Sequence, residues 1–160
     1  MSSRYEEEIL RALRRITRAI DIHSRALAQQ HQLTGPQLVC LLQIRRDKEL
    51  TPGVLARRVS LSQATVTGII DRLVARELVV RERSDEDRRR VQLRLTDSGL
   101  ELAETAPSPL QQRFAARLAQ QPAEQQQRIA EVLREIVHMM EADDLEASPV
   151  LAAADELDEA

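Results

Sequence analysis

Aromatic side chains are nearly absent from this chain. Tyr5 and Phe114 are the only two in 160 residues, and there is no tryptophan. A core built without aromatics must come from Leu, Ile, Val and Ala, which suits helix packing. The same scarcity argues against reading unstacked bases on aromatic platforms, so a single-strand or RNA-loop binder is not expected. Cysteine is reduced to Cys40 alone, which excludes an intrachain disulfide framework and fits a reducing, cytoplasmic setting. The four glycines, Gly35, Gly53, Gly68 and Gly99, are scattered, so no phosphate-cradling loop is present. No apolar run approaches the 18 or so residues that a membrane helix needs. The opening "MSSRYEEEILRALRR" lacks the continuous apolar stretch of a signal peptide. His23, His31 and His138 have no metal-ligand spacing with one another or with Cys40, so no metal or cofactor is expected. No nucleophile and base stand in a neighbourhood that suggests catalysis.

Charge is plentiful but uneven. The net charge is -3, yet residues 51–95 hold 10 basic and 6 acidic groups, and residues 96–160 hold 4 basic and 14 acidic. A partner feels the local potential, so the basic middle matters more than the acidic total.

Hydrophobic spacing divides the chain. Ile9, Leu13, Ile16, Ile20, His23 and Leu27 recur at steps of four and three. That predicts a helix over about 5–30 that packs on another helix or another subunit. Arg11, Arg14, Arg15, Arg18 and Arg25 take its opposite face. Thr34 and Pro36 open a second helix, which ends near Lys48 and is apolar almost all round. Thr51 and Pro52 open a third, over 52–59. Ser62 caps a fourth over 62–76, with Val66, Ile69, Ile70, Leu73 and Val74 inward. The last two, joined by only a few residues, form a helix-turn-helix pattern. The period then shortens. "LVVRER" (78–83) and "VQLRL" (91–95) read as a β-hairpin. Thr96 caps a further helix, "PSPL" (107–110) interrupts it, and a last helix turns Ile129, Val132, Leu133, Ile136, Val137 and Met140 inward. The acidic, Ala-rich end beyond about 142 shows no periodic face and is expected to be disordered. The fold class is thus mainly α with a small β-hairpin wing. Residues 1–33 form an N-terminal dimerisation helix, 34–96 a winged helix-turn-helix, 97–142 C-terminal dimerisation helices and 143–160 a tail.

A helix-turn-helix places its second helix in the DNA major groove. Here that helix starts with Ser62, Gln63, Ala64 and Thr65, then Thr67 and Gly68. Gln63 can pair bidentately with adenine, and Ala64 or a threonine methyl can touch a thymine methyl. Ser62, Thr65 and Thr67 can donate to phosphates, and Arg72 can neutralise one. The hairpin loop "SDEDRRRV" (84–91) crowds Arg88, Arg89 and Arg90 beside the helix. A narrow minor groove concentrates negative potential and attracts inserted arginine. Arg88 is the first choice for entry, then Arg89, with Asp87 as an orienting partner. Against these readings stand plain capping at the helix start and a solvated charge run in the loop.

"DRRRVQLRLTDSG" (87–99), preceded by "LSQATVTGIIDRLVARELVVRERSDE", resembles the MarR (multiple antibiotic resistance regulator) family of bacterial transcription factors. The likeness covers roughly residues 5–141. It implies a homodimer joined by the first and last helices, with a winged helix at each side, acting mostly as a repressor on pseudo-palindromic operators. It also implies release of DNA when a small-molecule effector or oxidant acts between the dimer helices and the winged helix. Two positions depart from the family pattern. Gly68 stands where members often carry a larger polar or basic residue, and Glu77 stands where a glycine is frequent. "ETAPSPLQQRF" and "DDLEASPVL" resemble a subgroup linked to compatible solutes, which implies osmotic-stress genes.

Sensing has two candidates, His23 on the first helix and Cys40 in "QLVCLLQI". For each the structural alternative is a satisfied interface histidine and a buried, inert thiol. The competing functions are a winged helix that binds protein through its acidic tail and a redox-responsive regulator built on Cys40. The arginine-rich loop favours double-stranded DNA over a protein partner.

Overall fold

The computed structural model describes residues 4–47, 50–83, 90–145 and 151. The chain divides into two compact units. One comprises Met1–Pro107 with Pro149–Ala160, the other Ser108–Ser148.

The first unit begins with α1 (Arg4–His31), which buries only Ser24 and Leu27 near its end. The winged helix-turn-helix follows as α2 (Gly35–Arg46), α3 (Pro52–Val59), α4 (Gln63–Ala75), β1 (Val79–Arg83) and β2 (Val91–Leu95), and α5 (Asp97–Thr105) completes the unit. Helix α2 is its centre, packed against α3, α4, α5 and β2. An all-round apolar helix has to be enclosed in this way. Leu38, Leu41, Leu55, Ile69, Ile70, Leu73 and Leu93 are wholly buried around it. Each such side chain contributes about 1.5–3 kcal/mol relative to exposure.

Caps set the helix starts where the sequence predicts them. Thr34, Thr51, Ser62 and Thr96 each accept the backbone N–H of the residue three ahead. Thr34 and Gln37 form a full capping box.

The ends of α3 and α4 were not legible as glycine signals. Ser60 and Glu77 occupy the left-handed region, at φ 56° and 57°. After α3, the Leu61 N–H donates to Ala56 O at 3.1 Å and Ser60 N–H to Arg57 O at 3.4 Å. After α4, Leu78 N–H donates to Leu73 O and Glu77 N–H to Val74 O, both at 2.9 Å. These are Schellman closures made without glycine. Glu77 therefore takes a backbone conformation that glycine adopts without strain.

β1 and β2 pair antiparallel, from Val79↔Leu95 at the root to Arg83↔Val91. Leu93 also bridges to Leu50, its N–H donating to Leu50 O at 2.8 Å. That single-residue third strand fixes the middle of β2 to the α2–α3 connection. Of Val91, Leu93 and Leu95, which alternate onto one face of β2, only Leu93 is fully buried. Val91, paired with Arg83 at the end far from the root, is exposed, and Leu95 at the root is half-buried.

Gly99 has a steric reason. A Cβ there would lie 1.9 Å from Leu78 O. Thr96 completes this joint, donating from its hydroxyl to Glu77 O at 2.7 Å and from its N–H to Leu78 O at 3.1 Å.

The second unit carries α6 (Leu110–Ala119) and α7 (Ala123–Met139), and neither buries a residue. This corrects the inward face expected for the last helix. Val132, Leu133, Val137 and Met140 are exposed, and Ile129 and Ile136 only half-buried. The period identifies residues that share a face but not what covers it. The same holds for Ile9 and Ile16 on α1, which are exposed. The expected disorder of the tail concerns residues that, apart from 143–145 and 151, lie outside those described.

Candidate nucleic-acid interface

Helix α4 buries Val66, Ile69, Ile70 and Leu73, so the stripe through Gln63, Ala64, Thr67 and Asp71 faces out. Its first turn is preorganised. Ser62 Oγ accepts the Thr65 N–H at 3.0 Å and lies 2.8 Å from Thr65 Oγ1. One of those two hydroxyl protons lies between them, so the pair has one left to donate outward. Thr67 Oγ1 donates to Gln63 O at 2.8 Å, leaving its oxygen as an acceptor until the rotamer changes. Gln63 and Ala64 are exposed with no helix cap to serve. Gly68 is half-buried beside them.

Asp71 closes the outward stripe with a negative charge that would repel phosphate. Arg81 of β1 neutralises it, Nη2 to Oδ1 at 2.5 Å. Sequence spacing gave little hint of this pair, since it joins a helix to a strand ten positions away. It ties the wing's first strand to the outward face of α4. Across the hairpin, Arg94 Nε pairs with Glu82 Oε2 at 2.7 Å. Two of the wing's arginines are thus committed within the fold. Arg72 is exposed on α4 with no carboxylate partner among the described residues. Arg90 is exposed and leads directly into β2. Asp87, Arg88 and Arg89 lie outside the described residues.

The two sensing candidates occupy different surroundings. Cys40 is fully buried in α2, and burial pushes its thiol up from 9.0 to about 12. A thiol so desolvated stays protonated and unreactive near neutral pH, in keeping with a packing role. His23 is half-buried on α1, with its Nε2 shielded from solvent. His138 pairs instead with Asp143, Nδ1 to Oδ2 at 2.8 Å. Among the described residues no cluster of His, Cys, Asp or Glu could hold a metal ion. Among them also, no helix is long and apolar enough to cross a membrane.

A helix-turn-helix with a short strand beneath it, a hairpin beside its second helix and a small polar outward turn define a winged helix. The MarR family model matches residues 33–91, which run from the α1–α2 turn to the first residue of β2. Over 90 residues the chain is 37% identical to the HTH-type transcriptional repressor NicR of Pseudomonas putida, covering 54% of this chain and 57% of that protein. It is 34% identical over 92 residues to the uncharacterized HTH-type transcriptional regulator YsmB of Bacillus subtilis, covering 58% of this chain and 63% of the relative. The chain thus spans about three fifths of the length of the curated relatives it matches. Among solved structures, the S. aureus MepR–DNA complex aligns with a TM-score of 0.58 at 21% identity, over 80% of this chain and 95% of that one. At that identity the likeness is one of fold. The family model's match falls on the winged helix-turn-helix, and the structural neighbours share the winged-helix fold.

Proposed function

We propose that the chain is a sequence-specific, double-stranded DNA-binding transcriptional regulator that acts as a homodimer, with repression of a pseudo-palindromic operator as its mode. The carrying observation is the outward first turn of α4. Gln63, Ala64 and Thr67 are exposed, small or polar, and flanked by the hairpin. In that position Gln63 reads a base edge, Ala64 touches a thymine methyl, and Ser62 and Thr65 share one donor for a phosphate. Arg72 and Arg90 add charge to the backbone contacts, and Arg88 and Arg89 are assigned to the adjacent minor groove with Asp87 orienting them. The MarR family is one of DNA-binding regulators rather than enzymes. A repressor is among the matched relatives, and a DNA complex is among the matched structures.

The dimer is supported by apolar surface that one chain leaves in water. Ile9, Ile16 and Ile22 of α1 are exposed, as are Val132, Leu133 and Val137 of α7. Two recognition helices in a dimer would enter major grooves about 34–36 Å apart. Osmotic-stress genes are the proposed targets, on the likeness of "ETAPSPLQQRF" and "DDLEASPVL" alone.

Fluorescence anisotropy tests this reading, using DNA from upstream of the gene and its neighbours at several salt concentrations. The expected result is tight, sequence-selective binding that weakens steeply with salt. A folded protein that binds no upstream duplex at low salt would overturn it.

A further inference from the structure

Helix α1 carries a charge pattern that neither the core nor the recognition helix uses. Its stretch "RALRRITR" (11–18) holds four arginines and no acid. Arg11, Arg14, Arg15 and Arg18 share one face over two turns, opposite the seam of Ile9, Leu13, Ile16 and Ile20. All four are exposed. Arg11 pairs with Glu7 at 3.2 Å, and Arg25 further along pairs with Asp21 at 3.3 Å. Arg14, Arg15 and Arg18 pair with no carboxylate among the described residues. A row of guanidinium groups is a row of donors without acceptors, so its complement is a row of carboxylates.

The matching charge lies at the other end of the chain. From Glu141 onward the sequence holds eight acids and no Lys, Arg or His. Asp143 is engaged by His138 at 2.8 Å within the second unit. The densest run beyond it is "DELDE" (155–159), with four acids in five residues. Although it follows the second unit in sequence, Pro149–Ala160 groups with the first unit, to which α1 belongs. The lengths agree as well. An extended five-residue stretch reaches about 13 Å, and seven residues of helix rise about 10 Å. The winged helix is the poorer complement. Its Arg81 and Arg94 already pair with Asp71 and Glu82. The arginines of the hairpin loop follow three acids of their own, Asp85, Glu86 and Asp87.

We infer that Asp155, Glu156, Asp158 and Glu159 dock on the Arg14, Arg15 and Arg18 face of α1, so that the acidic end of the chain covers its own first helix. Each exposed pair is weak. The tether supplies the tail at an effective concentration in the millimolar range, so several weak pairs act together. The contact withholds from polyanions a basic face that carries no base-reading group. Sequence-independent attraction to DNA is then confined to the winged helix. That consequence for DNA rests on the DNA-binding reading, whereas the contact itself does not.

The test compares the ¹⁵N-labelled full chain with a full-length variant carrying Asp155→Asn, Glu156→Gln, Asp158→Asn and Glu159→Gln. At about 20 mM salt, where charges are screened only beyond about 20 Å, the backbone amides of Arg14 to Arg18 should differ between the two. At about 1 M salt, where the screening length is about 3 Å, that difference should vanish. In return, Arg14→Gln, Arg15→Gln and Arg18→Gln together should shift the amides of 155–159. These three arginines are exposed, and Gln forms helix about as well as Arg, so the variant should fold as the parent does. Unmoved α1 amides would overturn the contact. Shifts confined to α4 and the hairpin would do the same, and would place the tail on the DNA-binding face. On immobilised heparin at low salt, the tail variant should bind about five- to tenfold tighter than the parent, as a few weak pairs released together would give. The same tail changes made in the triple arginine variant should alter heparin affinity less than about twofold. Equal gains in both backgrounds would show the tail acting through overall charge alone, and would overturn docking. A chain that binds no upstream duplex overturns the proposed function, and the amide and heparin readouts still report the contact.

Discussion

Glu77 and Gly99 meet at the joint between α4, the hairpin and α5, and they carry opposite backbone demands. Glu77 sits at φ 57°, where a side chain is strained. Glu77→Gly should raise stability by about 0.5–1 kcal/mol, net of the freedom that glycine gives the unfolded chain. In a chain of this size that is a rise of about 2–4 °C per kcal/mol in Tm, readable by calorimetry. Gly99→Ala should do the reverse. Its new methyl meets the Leu78 carbonyl, a backbone atom that cannot rotate away. Overpacking of this kind costs about 1–3 kcal/mol, and urea melts of the two variants should move in opposite directions. Cys40 adds a pH effect. Its folded pKa, about 12, lies above the ordinary 9.0, so its contribution to stability is intact below 9 and is lost as pH climbs to 12. Near neutral pH a disulfide reagent should label it only as fast as the protein opens. Prompt labelling of the folded protein would restore Cys40 as a sensor.

Between elements, the Asp71–Arg81 pair decides how much charge the wing can offer DNA. Both side chains are partly exposed, so the bridge itself adds little more than about 1 kcal/mol to stability. Asp71→Asn should therefore leave the melt nearly unchanged while releasing Arg81. If Arg81 then turns to a phosphate, the slope of log affinity against log salt steepens by about one. An unchanged slope would show that Arg81 stays on α4. This pairing marks the boundary of what the sequence discloses. Strong local signals carried the α3–turn–α4–hairpin order: caps at Thr51 and Ser62, a 3.6 period in α4, and a period of two in β2. Element limits came within about two residues of the observed ones for that reason. Features that join distant residues left no such trace. The Leu50–Leu93 bridge is one residue long. The turns at Ser60 and Glu77 lack the glycine that would announce them.

At the scale of the whole molecule the open question is what covers α1 and α7. Hydrophobic spacing placed Leu133 and Val137 on one face of α7 correctly. Their exposure assigns that face to something beyond this one chain's core. Leu133→Glu should leave the winged helix folded, since α7 lies in the other unit. If the proposed dimer forms through this face, sedimentation should show a dimer for the parent and a monomer for the variant, and operator affinity should fall steeply because one half-site is lost. A variant that remains dimeric would move the interface elsewhere. The wing is tested by Arg88→Ala, which should weaken binding with little change in fold, and Gln63→Ala should cost about 1–3 kcal/mol at one base pair and relax specificity there. The Leu50–Leu93 bridge gives the wing a graded resistance to opening. In deuterium exchange the Leu93 amide, closed by a buried carbonyl, should be among the last of the hairpin to exchange, and the amides at the exposed Arg83–Val91 end among the first. A hairpin held at Leu93 and expected to open first at its Arg83–Val91 pair would follow grooves of different width without moving the helix beside it. One protein could then tolerate operators whose flanking steps differ in shape while holding the central base pairs to a single reading.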